Sequence, residues 1–150
     1  AIAECALSQT LGHASLTGLS SVIAQRRSDY YDALERASRD NEVTEWLRYF
    51  SDVVLAGQAR SLRFVRFLVE KTRFLDRLRS ALNPRQEKAL LRILREGPDG
   101  FQGGLSAGNY MTITGAPPAT ARRDLGALVE LGALRRTGEK RGTRYWLTLE

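Results

Sequence analysis

Residues 111–136, MTITGAPPATARRDLGALVELGALRR, decide the fold of the C-terminal part of this chain. Ser106 can cap a short helix that ends at Gly115, and Pro118 suits the first position of a second helix, because the N–H that proline lacks has no partner there. Gly132 can supply the left-handed residue that ends the second helix. A short helix, a tight turn and a second helix with two consecutive arginines together predict a helix-turn-helix.

A β-hairpin is predicted immediately after this motif. Leu134–Thr137 and residues 143–149 alternate in polarity as strands do, and the connection Gly138-Glu139-Lys140-Arg141-Gly142 gives the hairpin a basic tip. A hairpin in this position is typical of a winged helix. The fold class predicted for residues 83–150 is therefore a winged helix-turn-helix with a small β-hairpin.

The second helix of the motif is the expected contact with nucleic acid. In a helix-turn-helix the first turns of this helix meet base edges and phosphates in the major groove. Arginine suits the task because its planar fork binds phosphate or guanine through two hydrogen bonds, and a basic wing tip can touch phosphates or the minor groove. The predicted nucleic-acid-binding residues are Pro118, Thr120, Arg122, Arg123, Arg136, Lys140, Arg141 and Arg144.

The same residues also have simpler structural interpretations. The buried side of the second helix is expected to consist of Ala121, Leu125, Leu128, Val129 and Leu131. One residue of the pair Arg123-Asp124 can form a local salt bridge that only stabilises the helix, and the hairpin tip can be a solvated turn. The formal net charge of +6 can likewise belong to a solvated, arginine-rich surface. Both interpretations stay open at this point.

The first part of the chain is predicted to be helical. Apolar residues recur at helical spacing over residues 2–9, and Gly12 can end that helix. Ser15 or Thr17 can cap the next helix, which presents apolar side chains along one side over residues 19–37.

A long helix is predicted from Thr44 to about Leu82, where Asn83-Pro84 favours the start of a new helix over residues 84–96. At 1.5 Å per residue such a helix would be roughly 55–60 Å long. Two short helices cannot cover its apolar stripe, so the long helix either folds back or packs on a partner surface. We favour a partner surface, either a second copy in a homodimer through the long helix or a missing part of the protein. The stripe comprises Trp46, Leu47, Phe50, Val53, Val54, Leu62, Val65, Leu68, Val69, Leu75, Leu78 and Leu82. The domains predicted are residues 1–82 and 83–150.

Composition excludes several classes of protein. Of 150 residues, 43% are hydrophobic and 27% are charged, which is ordinary for a globular protein. No apolar run is long enough to span a membrane, and no signal peptide is recognisable. The single cysteine, Cys5, cannot form an internal disulfide, which favours a reducing compartment such as the cytoplasm.

Residues 118–134, PATARRDLGALVELGAL, resemble the helix-turn-helix of DeoR-type repressors and other winged-helix regulators. The resemblance rests on a Thr, an Arg-Asp-Leu and spaced Leu and Gly residues, here Thr120, Arg123, Asp124, Leu125, Leu128, Gly132 and Leu134. Such motifs usually place Ser at the N-cap, where this chain has Pro117. Proline offers no side-chain acceptor, so the helix start loses about 1 kcal/mol of capping free energy.

Residues 19–55, LSSVIAQRRSDYYDALERASRDNEVTEWLRYFSDVVL, resemble the region after the active-site motif of Fic-family proteins. The Arg-x-x-Tyr-Tyr-x-x-Leu pattern of that family corresponds to Arg27, Tyr30, Tyr31 and Leu34, and its Thr-x-Trp segment to Thr44 and Trp46. Many Fic proteins continue through a long helix into a C-terminal winged helix, and this chain has the same predicted order. The fold class predicted for the whole chain is thus mainly α, with the end of a Fic domain and a long helix before the winged helix.

The Fic resemblance implies transfer of AMP from ATP to a hydroxyl side chain of a protein, with a divalent metal. The reaction depends on a His-Pro-Phe-x-Asp-Gly-Asn-Gly-Arg loop, which this sequence lacks, and His13 is followed by Ala-Ser-Leu. We therefore expect no catalytic, cofactor-binding or metal-binding residue in this chain, with ATP and metal implied only for the intact parent. The expected partners of the chain are double-stranded DNA and the missing Fic core. No interaction with a membrane is expected. Alternatively, the winged helix serves protein contacts, dimerisation or regulation of the parent enzyme.

Overall fold

The computed structural model describes Gln9 and residues 18–40 and 42–149. The other predictions for the N-terminal part, on residues 2–8, Cys5, Gly12, His13 and the caps at Ser15 and Thr17, lie outside the described residues. The described chain is mainly helical, with six α-helices in residues 18–149 and a two-stranded antiparallel sheet near the C-terminal end. It divides into two compact units, Ala1–Val65 and Arg66–Glu150.

The N-terminal unit contains two helices and the first part of a third. These are α1 (Leu19–Gln25), α2 (Arg27–Asp40) and α3 (Thr44–Leu78). The prediction of one continuous helix over residues 19–37 is wrong, because the backbone at Arg26 (φ −118°, ψ 43°) leaves the helical region and separates α1 from α2. Leu19 and Val22 of α1 pack with Val53 of α3 in the buried core of this unit.

Helix α3 ends one turn earlier than predicted, at Leu78 instead of near Leu82. The Ala81 N–H donates to the Leu78 carbonyl (2.9 Å), and this turn redirects the chain before Asn83 and Pro84 begin the next helix. No helix within residues 18–40 and 42–149 is both long enough and apolar enough to cross a membrane.

The apolar residues of α3 lie on two faces, which corrects the prediction of a single stripe. One face is buried and contains Val53, Phe67, Phe74 and Leu78, of which the two phenylalanines were not predicted. The other is exposed and contains Leu47, Leu55, Leu62, Val65 and Val69. At 100° per residue these two sets fall on opposite sides of the helix. Tertiary packing decides which of the two faces is buried. The spacing of apolar residues alone does not show which face that is.

The C-terminal unit continues with three helices and a hairpin. These are α4 (Pro84–Leu94), α5 (Ala107–Thr114), α6 (Pro118–Glu130), β1 (Leu134–Thr137) and β2 (Arg144–Leu147). The predicted N-cap of α4 is confirmed: the Asn83 side chain accepts from the backbone N–H groups of Arg85 and Gln86, and Gln86 completes a capping box. Helix α4 ends at Leu94 instead of Glu96, because the chain tightens into a 3₁₀ turn at Gly97–Asp99.

Strands β1 and β2 pair in register from Leu134 opposite Leu147 to Thr137 opposite Arg144. Strand β2 is shorter than the predicted residues 143–149. Leu105 adds an isolated bridge on the other edge of β2, exchanging two backbone hydrogen bonds of 2.8 Å with Tyr145. The hairpin is thereby tied to the segment that leads into α5.

The core of the C-terminal unit lies between α3, the three following helices and the hairpin. Its fully buried large side chains are Phe74, Leu90, Leu94, Leu105, Tyr110, Leu125, Leu128 and Leu134. The predicted buried side of α6 is confirmed at Ala121, Leu125 and Leu128, and Val129 is partly buried. Leu131 is 37% exposed, contrary to the prediction, because it follows the last residue of α6 and turns away from the core.

Candidate nucleic-acid interface

Helices α5 and α6 are joined by a three-residue turn, Gly115, Ala116 and Pro117. The predicted cap of α5 is confirmed, since the Ser106 hydroxyl accepts from the Asn109 N–H (3.0 Å). Gly115 ends α5 in the left-handed conformation (φ 73°), and Pro118 occupies the first turn of α6. Pro117 precedes α6 without a side-chain capping hydrogen bond, as its lack of an acceptor predicts. The start of α6 therefore carries backbone N–H groups that no side chain caps.

A concave surface lies between α6, the start of α5 and the hairpin, and the pocket that it encloses has a volume of about 1010 Å³. Five of the eight residues predicted to bind nucleic acid line it: Arg122, Arg136, Lys140, Arg141 and Arg144. They come from α6, β1, the hairpin turn and β2. The first turn of α5 contributes Ser106, Ala107 and Gly108 to the opposite wall. Among the described residues that line it, Glu130 is the only carboxylate, so the surface carries an excess of positive charge and attracts anions.

The other three predicted residues lie on α6 but do not line this surface. Pro118 and Arg123 are exposed and Thr120 is partly buried, all within the first two turns of the helix. Arg122 and Arg123 are consecutive, so their side chains leave the helix about 100° apart and only Arg122 faces the hairpin side.

The hairpin turn is held in a specific shape. Gly138 has φ 72°, and a Cβ atom there would lie 2.4 Å from the carbonyl oxygen of Gly142. Lys140 has φ 50°, a conformation that few non-glycine residues adopt. The Arg144 guanidinium donates to the carbonyls of Arg141 (3.3 Å) and Thr143 (2.9 Å). These constraints define the backbone of the turn that carries Lys140 and Arg141.

Sequence reasoning named Asp124 of α6 but missed its burial and its partners. Asp124 is only 3% exposed. Its carboxylate accepts from Arg85 Nε (2.9 Å), Asn83 Nδ2 (3.2 Å) and the Tyr110 hydroxyl (3.0 Å). The Gln86 amide also donates to the Asp124 backbone carbonyl (3.1 Å). Asp124 therefore forms a salt bridge as considered from the sequence, but its partner is Arg85 of α4, 39 residues away, so the expectation that the bridge is local is wrong.

The Asp124 cluster favours one protonation state. Burial by itself raises the pKa of the Asp124 carboxyl, but the hydrogen bonds from Arg85, Tyr110 and Asn83 outweigh it and hold that pKa below its ordinary value. Burial, together with the hydrogen bond to Asp124, raises the pKa of the Tyr110 hydroxyl. At neutral pH Asp124 is thus a carboxylate that joins α4, α5 and α6 at one point, and this junction sets the direction in which α6 presents its arginines.

The indole of Trp146 packs at the base of the hairpin. Its ring lies 3.0 Å from the place that a Cβ atom on Gly104 would occupy, and its Nε1 donates to the Thr137 hydroxyl (2.8 Å). Gly104 has φ 70°, so both its backbone conformation and the space beside it call for glycine.

Comparisons with known proteins add no assignment, since neither models of protein families nor curated proteins match the chain. Among the described residues, no group of three or more His, Cys, Asp or Glu side chains could hold a metal ion.

Proposed function

We propose that the C-terminal unit is a winged helix-turn-helix that binds double-stranded DNA, with α6 as the recognition helix and the β1–β2 hairpin as the wing. The observation that carries the proposal is the convergence of Arg122, Arg136, Lys140, Arg141 and Arg144 on one concave surface. Four of these cations belong to the hairpin, and the fold brings Arg122 of α6 to the same surface. Phosphates are the ligands that such a surface suits best.

In this proposal the two sides of α6 have different roles. Pro118, Thr120 and Arg123 at the exposed start of the helix face the base edges of the major groove. Arg122 and the hairpin cations bind the phosphate backbone that passes between helix and wing. Asp124 contacts no DNA and instead holds α6 in the required orientation.

We further propose that the chain is the C-terminal portion of a Fic-family protein and that the DNA-binding unit is a regulatory module of that parent. The proposal rests on the sequence resemblance, which is carried by Arg27, Tyr30, Tyr31, Leu34, Thr44 and Trp46. In the structure the rings of Tyr30 and Trp46 meet edge to face at 5.5 Å, and Arg27 lies 5.6 Å from the centre of the Tyr31 ring. ATP and a divalent metal belong to the intact parent in this proposal, and no catalytic residue is assigned here.

Binding to a fluorescein-labelled duplex of mixed sequence tests the DNA-binding proposal directly. At about 0.15 M salt we expect a rise in fluorescence anisotropy with a dissociation constant of roughly 1–100 µM, the range of binding without sequence specificity. A flat signal up to about 1 mM protein, well above that range, would overturn the proposal and favour a protein-binding role for this unit.

Gly138→Ala should change the shape of the wing and lower the affinity for the duplex about tenfold, roughly the loss of one or two phosphate contacts. The new Cβ meets the Gly142 carbonyl at 2.4 Å, and φ at this position is 72°. Gly132→Ala is the matched control, since Gly132 has φ 67° but no atom within 4 Å of the added Cβ. Equal duplex affinities for the two variants, measured by anisotropy, would show that the wing shape does not matter.

A further inference from the structure

The exposed face of α3 has a second periodicity that the core does not use. Leu55, Leu62 and Val65 are 62%, 54% and 43% exposed. With Gln58 they alternate at intervals of three and four residues, which is the spacing of a coiled-coil seam. Val69, also exposed, continues the series. The buried residues of α3 are on the opposite side of the helix, so the seam takes no part in the core that the described residues form.

Charges beside the seam indicate which helix it pairs with. Asp52 and Arg66 are both exposed and lie on the same flank of α3, fourteen positions apart, with the small residue Ala59 midway between them. Fourteen residues are close to four helical turns. In two antiparallel copies related by a two-fold axis near Ala59, Asp52 of each copy therefore faces Arg66 of the other. Flanking charges of this kind set the orientation of paired helices.

We infer that two copies of this chain associate through α3 in an antiparallel helix pair. Leu55 then packs on Val65 of the second copy, and Leu62 packs on its Gln58, twice each by symmetry. A parallel pair would instead place Arg66 opposite Ser61, with no charge partner. This inference does not depend on the proposed DNA binding.

Sedimentation equilibrium of the full chain tests the inference. Wild type should sediment as a dimer at tens of micromolar, and Leu62→Glu should weaken association about a hundredfold by placing two carboxylates in the seam. Phe64→Glu is the matched control, because Phe64 is 49% exposed on α3 but lies outside the seam. Circular dichroism should show equal helix content for both variants. A monomeric wild type, or equal effects of the two substitutions, would overturn the inference.

Charge reversal tests the antiparallel register. Asp52→Arg and Arg66→Asp should each weaken the dimer about tenfold, because each creates two like-charge contacts. The double variant should regain most of the wild-type affinity, since the pairs are restored with exchanged signs. Failure of the double variant to recover would contradict an antiparallel pair centred near Ala59.

Discussion

Simultaneous replacement of Arg122, Arg136, Lys140 and Arg144 by Ala should lower the affinity for duplex DNA by roughly 100- to 1000-fold. Each of these cations lines the concave surface between α6 and the hairpin. Each would neutralise one phosphate and release a counterion, and at about 0.1 M salt one such contact contributes up to about tenfold. The measurement is fluorescence anisotropy with the labelled duplex.

The matched control removes the same charge from the same unit at Arg73, Arg79, Lys88 and Arg95. All four are exposed and none lines the concave surface. The affinity of this control variant for the duplex should fall by less than about tenfold, which is the long-range effect of net charge alone. Equal losses for the two variants would show that DNA responds only to overall charge, and the concave surface would not be the binding site.

Asp124→Ala should destabilise the C-terminal unit by about 2–3 kcal/mol, because hydrogen bonds to a buried charged acceptor are among the strongest in a folded protein. Tyr110 is 0% exposed, and its hydroxyl donates to the Asp124 carboxylate. The substitution removes this acceptor and leaves the buried hydroxyl without it. Arg85 also loses its ion pair (2.9 Å). For a unit of this size the midpoint of thermal unfolding should fall by roughly 10–20 °C.

Tryptophan fluorescence in a Trp46→Phe background follows this unfolding, because Trp146 is then the only indole and lies in the C-terminal unit. Asp76→Ala is the control, since Asp76 is exposed on α3. It should change the free energy of unfolding by less than about 0.5 kcal/mol. An equally small effect of Asp124→Ala would contradict the role of Asp124 as the junction of three helices.

Local chemistry explains what could be predicted from the sequence. The caps at Asn83 and Ser106, the left-handed stops at Gly115 and Gly132, and the start of α6 at Pro118 each depend on residues within one turn of their own position. Five of the eight predicted DNA-binding residues share one surface for a similar reason, since short connections leave the hairpin close to α6. Their role in DNA binding stays a prediction.

Long-range pairing explains what could not be predicted. Arg85 and Asp124 are 39 residues apart, and nothing near either residue identifies the other as its partner. The two apolar faces of α3 have overlapping periodicities, so spacing alone does not show that Phe67 and Phe74 are buried while Leu62 and Val65 are exposed. The break at Arg26 has no glycine or proline to mark it.

The salt dependence of duplex binding tests the central claim most directly. If the five cations of the concave surface neutralise five phosphates, log K should fall linearly with the logarithm of the salt concentration, with a slope of about −4 to −5. Between about 50 and 200 mM salt this amounts to a loss of several hundredfold. We expect that slope for the wild type. A slope between 0 and about −1 would mean that at most one phosphate is contacted, and would contradict DNA binding through this surface.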